Sequence, residues 1–460
     1  MESLATRDSM NLALCPLFRH VALYFFVTIF CFAGKPIPAA EPCLSTAKNP
    51  PGDRAIVPTV HRSANFLVHT DLPDEEAAAL LGRLEATLRT ISNYWRRPLR
   101  GKITCYVARE VDRWPDDALP HPQARVLLTR IGGATIARRV TGARNTTYPA
   151  TVFALATPGI AEHEIVHAYC HQTFGEMGPD WYKEGMAEMA YFGRHGGADL
   201  QCPQALIDQL REGPYRTPME VTTRLLTDSV AQAVADTAAG DASGRESVAL
   251  WTPAHAETVK SVKQSYRWSW ALCHLMANNS NYSARFRALG RGYVSGQDFK
   301  FQDAFGAMEQ ELCFEYRFML EHMRPGYRVD LCRWDWSKQF QSPSGRERLT
   351  TRVSAAHGYQ ASGLRVTRGD TYAYRVTGAW STVAGGEESD ADGAPSGRGR
   401  LVGVIERDHQ LTAPIELGSQ GIFTAPADGK LHLRCRDDWC SLADNRGAVR
   451  VVFQRAAETR

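Results

Sequence analysis

The sequence lacks an excess of charge of either sign. Its 460 residues include 53 Lys and Arg against 50 Asp and Glu, which gives a formal net charge of +3. Because phosphate backbones are bound by concentrated basic faces, this even balance speaks against a nucleic-acid partner. With 44% hydrophobic and 22% charged residues, the composition also excludes a collagen, a disordered chain and a polytopic membrane protein. The length predicts two or three domains.

Long apolar runs are scarce as well. The uncharged run over residues 21–34 lies between Arg19 and Lys35, and it is shorter than the roughly 20 residues of a membrane-spanning helix. Its length and flanks predict a signal peptide over residues 1–34, so we expect a secreted or periplasmic protein. A retained signal anchor and a buried core helix are the alternatives. Without such an anchor we expect no stable membrane insertion.

No CxxC pair occurs among the 11 cysteines, so the sequence offers no cysteine-based zinc site. Cleavage of the signal peptide would remove Cys15 and Cys31 from these 11 and leave nine. In an oxidising compartment an odd number leaves at least one thiol free. We predict a disulfide between the neighbouring Cys435 and Cys440, and Cys170 as the best candidate for a free thiol.

Hydropathy patterns divide the rest of the chain. The expected segments are a linker (35–60), a zinc domain (61–328) with an insert or lid (about 213–262), a second linker (329–345) and an all-β sandwich (346–460). Helical periodicity dominates the zinc domain, whereas short alternating strands with Gly and Asp turns fill the last segment. The fold class expected is therefore α+β, with a small mixed sheet and a mainly helical domain followed by a β-sandwich.

Three segments of the expected zinc domain have a clear period. Between residues 74 and 94, Leu81, Leu84, Leu88 and Ile91 fall on one face of a helix. The runs ITCYVA (103–108) and TVFALA (151–156) are rich in β-branched and aromatic residues and have the length of strands.

His163, Glu164 and His167 form the pattern HExxH inside a predicted helix. Residues four apart lie on the same helical face, so both imidazoles can reach one metal ion. Glu164 beside them can accept a proton from a water that the metal activates. The pattern predicts a catalytic zinc site with Glu164 as the general base.

A catalytic zinc site needs a third protein ligand and an open fourth position. His171 lies about 12 Å along the helix from His163, which is too far for one tetrahedral site. A metzincin would carry Gly in place of Cys170 and His in place of Thr173, so that class is excluded.

Glu184 is the remaining candidate for the third ligand. It lies in a second predicted helix that begins near Asp180 and could return past the first. Glu188 follows one turn later, where its carboxylate could hold the second ring nitrogen of a ligand histidine.

HExxH at 163–167 and WxxEGxAE at 181–188 resemble the gluzincin clan of metallopeptidases, which includes thermolysin, aminopeptidase-N-like and secreted peptidase-MA-like enzymes. The resemblance covers roughly residues 62–323. It implies that His163, His167 and Glu184 bind zinc, that Glu164 is the general base and that Glu188 supports a ligand.

The same resemblance implies that Tyr266, in the helix after the zinc site, donates a hydrogen bond to the oxyanion of the intermediate. Packing at a helix start is the alternative role of this tyrosine. The strand TVFALA would form the edge on which an extended peptide substrate lies.

The segments LRVTRGDTYAYRVTGAW and LHLRCRDDWCSLADN resemble galactose-binding calcium lectins of the PA-IL type. The resemblance implies a Ca²⁺ site at Asp437, Asp444 and Asn445 with the carbonyl of Ser441, and a galactoside or other glycan as ligand. Oxygen ligands at turn positions suit calcium. Simple turn capping by these residues is the alternative.

Together these features predict a secreted zinc metallopeptidase that hydrolyses a peptide or protein substrate. The alternative is a carbohydrate-binding surface protein in which the zinc domain is structural or inactive. The two differ in whether the zinc-loaded protein cleaves peptides.

Overall fold

The computed structural model describes residues 26–31, 55–141, 146–192, 200–212, 214–223 and 252–456. The described chain combines helices with β-sheets, which is consistent with the expected α+β class. Most of the predicted signal peptide, most of the first predicted linker and the middle of the predicted insert lie outside the described residues.

A mixed sheet organises the N-terminal half. Its strands and a neighbouring two-stranded ribbon are β1 (Phe26–Cys31), β2 (Thr59–Arg62), β3 (Phe66–Thr70), β4 (Ile103–Ala108), β5 (Gly132–Ala137), β6 (Val140–Thr141), β7 (Thr146–Thr147) and β8 (Ala150–Leu155). The sheet order is β1-β5-β8-β4-β3-β2, and β6 pairs with β7. Strands β3, β4 and β8 run parallel, whereas β1, β5 and β2 pair antiparallel with their neighbours.

The predicted strand TVFALA forms β8, but its prediction as the edge strand is wrong. It lies between β4 and β5, and β5 pairs on its other side with β1, from Phe26 opposite Ala137 to Cys31 opposite Gly132. Strand β5 has the sequence GGATIA, whose glycines weaken any β-strand signal. Strand β1 lies inside the predicted signal peptide.

Ten helices accompany the sheets in the described part of the chain. They are α1 (Asp74–Trp95), α2 (Ala124–Val126), α3 (Ile160–Phe174), α4 (Asp180–Phe192), α5 (Gln204–Glu212), α6 (Pro218–Thr223), α7 (Pro253–Asn278), α8 (Ser283–Val294), α9 (Phe301–Phe305) and α10 (Glu309–His322). A short π-helix, Leu127–Ile131, continues α2. None of them combines the length and apolar character needed to cross a membrane.

Helix α1 confirms the helix predicted from its apolar period, since Leu84, Leu88 and Ile91 are all buried. In the predicted insert, residues 224–251 lie outside the described residues, and residues 253–262 form the first turns of α7. Thr252 caps α7 by accepting a hydrogen bond from the His255 amide, and Val259 and Val262 are buried.

Two antiparallel sheets form the C-terminal module, residues 348–455. Its strands are β9 (Arg348–Ser354), β10 (Gln360–Val366), β11 (Thr371–Ser381), β12 (Leu401–Arg407), β13 (Gln410–Leu411), β14 (Ile415–Glu416), β15 (Gln420–Thr424), β16 (Gly429–Cys435) and β17 (Arg446–Arg455). One sheet has the order β10-β16-β12-β13 with β14 also on β12, and the other has the order β15-β11-β17-β9. Buried residues of both sheets belong to one apolar core.

The predicted second linker, residues 329–345, is packed rather than free. The Trp336 indole donates a 2.7 Å hydrogen bond to buried Glu315 of α10. Trp334 is 1% exposed, and its ring lies 4.6 Å from that of His432 in the C-terminal module. An aromatic cluster therefore joins the helical part of the chain to this module.

The predicted disulfide is wrong, because Cys435 and Cys440 are both free thiols in the structure. Cys435 belongs to the core between the two C-terminal sheets, whereas Cys440 packs against the core of the helical domain. The two side chains therefore lie in different cores despite their closeness in sequence. Cys170 is free and buried, and the same holds for Cys105 and Cys273.

Candidate metal centre

The start of α3 is fixed by residues before the HExxH pattern. Gly159 has a φ of 99°, and a β-carbon there would lie 2.0 Å from the ring of Tyr191, so glycine is required. Glu162 accepts a 2.9 Å hydrogen bond from the Gly159 amide and pairs with Arg83 at 2.7 Å. These bonds cap the first turn of α3 and tie it to α1, which carries Arg83.

The chain then turns so that α4 packs against α3. Helix α3 ends at Gly175, whose left-handed conformation (φ 86°) lets its amide donate to the last carbonyls of the helix. Gly185 permits close packing of α4 on α7, because a β-carbon there would lie 2.6 Å from the Ser269 carbonyl oxygen. This packing fixes Glu184 opposite α3.

His163, His167 and Glu184 come together as the sequence predicts. The Nε2 atoms of the two histidines are 3.0 Å apart, and each lies 3.5 Å from Oε2 of Glu184. All three side chains are completely buried. They form the one group of His, Cys, Asp and Glu side chains within the described ranges that could hold a metal ion.

The electrostatics of this group fit a bound cation. Burial lowers the pKa of His163 to about 4 and that of His167 well below its usual value, so both imidazoles are neutral, as metal ligands must be. Burial also raises the pKa of Glu184. Oε2 of Glu184 faces the two imidazoles at 3.5 Å, and Oε1 has no hydrogen-bond partner among the described residues, so a positive charge at this point would relieve an unfavourable burial.

Glu164 lies beside the group and contacts β5. The Thr135 hydroxyl, on β5, lies 2.8 Å from Oε2 of Glu164 and 2.9 Å from the Glu164 carbonyl oxygen. Burial raises the pKa of Glu164 well above its usual value, and the nearby Glu184 raises it further. Strand β5 can approach this closely because residue 133 is a glycine. A β-carbon at this position would lie only 3.1 Å from Oε1 of Glu164.

Sequence reasoning missed Thr135. It lies 29 residues before Glu164, in a glycine-rich strand that carries no recognisable motif. Only the tertiary structure, in which β5 lies next to α3, shows that the Thr135 hydroxyl reaches the candidate base.

The other predicted residues of this region are all buried. Glu188 is buried one turn beyond Glu184, and its charged neighbours are Glu184 and Arg267. The structure shows no hydrogen bond from Glu188 to either imidazole, so its supporting role stays a prediction. Tyr266 is 1% exposed and lies in the middle of α7, not at a helix start as expected, and its oxyanion role stays a prediction. His171 is buried and outside the metal group.

The candidate calcium residues lie near one another in the C-terminal module. Asp437 is 9% exposed and is paired with Arg398, which sequence reasoning did not identify. Asn445 is fully buried, and its amide donates to the Ala355 carbonyl. Asp444 follows the loop that contains Ser441 and lies close enough to act on the pKa of Arg398.

Comparisons with known proteins give matches among solved structures only. No protein family model matches the chain, and no curated protein is significantly similar to it. Among solved structures, the chain is similar to the N-terminal domain of EclA, described as a PllA-like lectin. The identity is 18%, the match covers 24% of this chain and 96% of that chain, and the TM-score is 0.20.

Proposed function

We propose that this protein is a zinc-dependent peptidase. The observation that supports it most is the buried group of His163, His167 and Glu184 next to the carboxylate of Glu164. Two neutral imidazoles and a carboxylate are a typical ligand set of catalytic zinc, which leaves a fourth position for water or substrate.

The size of the ligand group supports zinc. Ligand atoms about 2.0–2.1 Å from a tetrahedral zinc ion are about 3.3 Å from one another. The three ligand atoms here are 3.0, 3.5 and 3.5 Å apart. Calcium, which prefers six to eight oxygen ligands at longer distances, fits two imidazole nitrogens poorly.

The surrounding residues supply the acid–base chemistry of hydrolysis. A bound zinc ion would polarise the scissile carbonyl and lower the pKa of a water molecule towards 7. Glu164 would accept a proton from that water and pass it to the leaving amine. A buried carboxylate with a raised pKa has an increased affinity for that proton, and the Thr135 hydroxyl holds it in one orientation. Tyr266 would stabilise the developing oxyanion.

The neighbouring sheet edge supports a peptide as substrate. Strand β5 contacts Glu164 through Thr135 and Gly133, and its outer edge pairs with β1 along its whole length. An extended substrate could pair with the same edge by strand addition once residues 26–31 had left it. Cleavage of the predicted signal peptide would remove those residues.

The test compares variants of the chain that begins at residue 35. Metal analysis should give one zinc ion per chain, and a peptide library should be cleaved. Glu164→Gln should keep the zinc and lose about 10²-fold or more of the turnover, because the base contributes that much or more. The matched control is Glu162→Gln, a nearby buried carboxylate on α3 that only caps the helix and pairs with Arg83.

Undiminished turnover in Glu164→Gln would contradict the proposed chemistry. A zinc-loaded chain that cleaves no peptide would instead favour the alternative of a glycan-binding protein with a structural or inactive zinc domain. Titration of the same chain with galactosides would then distinguish these outcomes.

A further inference from the structure

The predicted calcium site of the C-terminal module contains a guanidinium group. Nε of Arg398 donates to Oδ1 of Asp437 at 2.7 Å, and Nη2 lies 3.3 Å from Oδ2. Nη2 also donates to the Thr382 carbonyl oxygen at 2.8 Å. The Asp438 amide also donates to Oδ1 of Asp437 at 2.8 Å. The Asp437 side chain is 2% exposed, so a cation from solvent has little access to this carboxylate.

The backbone holds Arg398 in this place. The Gly399 amide donates to the Arg436 carbonyl at 2.8 Å, and the Arg436 amide donates to the Arg400 carbonyl at the same distance. These bonds align residues 398–400 with the chain just before Asp437. Main-chain hydrogen bonds next to both residues therefore keep Arg398 close to Asp437.

The oxygen atoms that Arg398 contacts are of the type that calcium binds. Calcium takes six to eight oxygens at about 2.3–2.6 Å, mainly from carboxylates, carbonyls and amides. Both carboxylate oxygens of Asp437 and one backbone carbonyl are already hydrogen-bonded to the guanidinium. A divalent ion and a guanidinium also repel each other at such distances, so the two cannot share these ligands.

We propose that the guanidinium of Arg398 takes the place of a calcium ion at this end of the C-terminal module. The module then assembles without calcium, because the buried carboxylate of Asp437 is paired with Arg398 and also lies beside the buried guanidinium of Arg434, which donates to the Asp437 carbonyl. A bidentate guanidinium–carboxylate pair is among the strongest hydrogen-bonded arrangements in proteins. Any glycan bound at this end would meet N–H donors instead of a metal ion.

Two buried side-chain oxygens could serve as calcium ligands if Arg398 were replaced. Oδ1 of Asp444 and Oδ1 of Asn445 have no hydrogen-bond donor among the described residues. Both belong to the residues that the lectin resemblance names as calcium ligands, so they are the side-chain oxygens that a calcium ion would need besides those of Asp437. Substituting Arg398 should therefore create a calcium site rather than merely weaken one.

The experiment titrates the zinc-saturated full chain with calcium, so that the histidine site is already filled. Calorimetry up to about 10 mM calcium exceeds the roughly 10⁻³ M dissociation constants of weak extracellular calcium modules. We expect no binding heat and no calcium-dependent rise in melting temperature for the wild type. Arg398→Met, which keeps the apolar stem, should bind one calcium ion and melt at a higher temperature when calcium is present.

Two further variants assign these effects to the site. Adding Asp437→Asn to Arg398→Met should abolish the new calcium binding, and Arg398→Lys, which keeps the charge, should remain unable to bind calcium. Calcium binding by the wild type that Asp437→Asn removes would overturn the proposal, and this measurement does not depend on the folding of Arg398→Met. Folded Arg398→Met without calcium binding would also overturn it.

Discussion

Replacing Glu184 by Gln should have opposite effects on stability with and without metal. In the metal-free protein the carboxylate is fully buried, Oε1 has no hydrogen-bond partner among the described residues, and Oε2 faces the two imidazoles at 3.5 Å. Burial raises the pKa of Glu184. At pH 7 folding therefore either buries a charged carboxylate or requires that it binds a proton, and both cost free energy. The neutral amide removes that cost. In the metal-loaded protein the same substitution removes a negatively charged ligand.

The sizes of both effects can be estimated. Protonating a carboxyl group whose ordinary pKa is 4.5 costs at most about 3.4 kcal/mol at pH 7, so Glu184→Gln should stabilise the metal-free protein by up to about 3 kcal/mol. Zinc binding to a four-ligand site contributes about 10–16 kcal/mol, or about 3 kcal/mol per ligand. Zinc affinity should therefore fall by about 10²-fold or more.

Thermal unfolding with and without zinc, together with chelator competition, measures both effects. Glu315→Gln is the matched control, because Glu315 is also a buried carboxylate with a raised pKa but lies on α10, outside the metal group. It should affect zinc affinity far less than Glu184→Gln does. Unchanged zinc affinity in Glu184→Gln, or equal destabilisation of the metal-free and metal-loaded proteins, would contradict the role of Glu184 as a metal ligand.

Two further predictions concern a tyrosine and a histidine. Tyr266→Phe should lower kcat by about 10² to 10³ with little change in KM or zinc content, as expected for an oxyanion donor; an unchanged kcat would leave Tyr266 with a packing role only. His432 is 1% exposed and neither ring nitrogen has a hydrogen-bond partner among the described residues, and burial lowers its pKa to about 3. Below pH 6.5 His432 is protonated in the unfolded chain but stays neutral in the folded chain. The free energy of unfolding therefore decreases as the pH falls towards 3, by about 1.4 kcal/mol at pH 5.5. His432→Leu should therefore lose less stability than the wild type between pH 7.5 and 5.5 in urea titrations, and an equal loss would count against this assignment.

Local patterns in the sequence were sufficient for several elements. The apolar period of α1 and the β-branched run of β4 depend on residues a few positions apart, so the sequence alone predicts both. The metal group was also predictable, because the i, i+4 spacing of His163 and His167 puts both imidazoles on one helical face whatever surrounds it. Glu184 required only the further assumption that the next helix packs back on the first.

The tertiary structure decided what depends on distant residues. The sequence pattern of β8 is that of a strand, but its central place follows from pairing with β5, which no local signal predicts. Cys435 and Cys440 are close in the chain yet face different cores. Arg398 and Asp437 are 39 residues apart and meet because backbone hydrogen bonds align their segments. Periodicity and spacing report only contacts within one element, whereas sheet order and ion pairs between loops depend on how the whole chain packs.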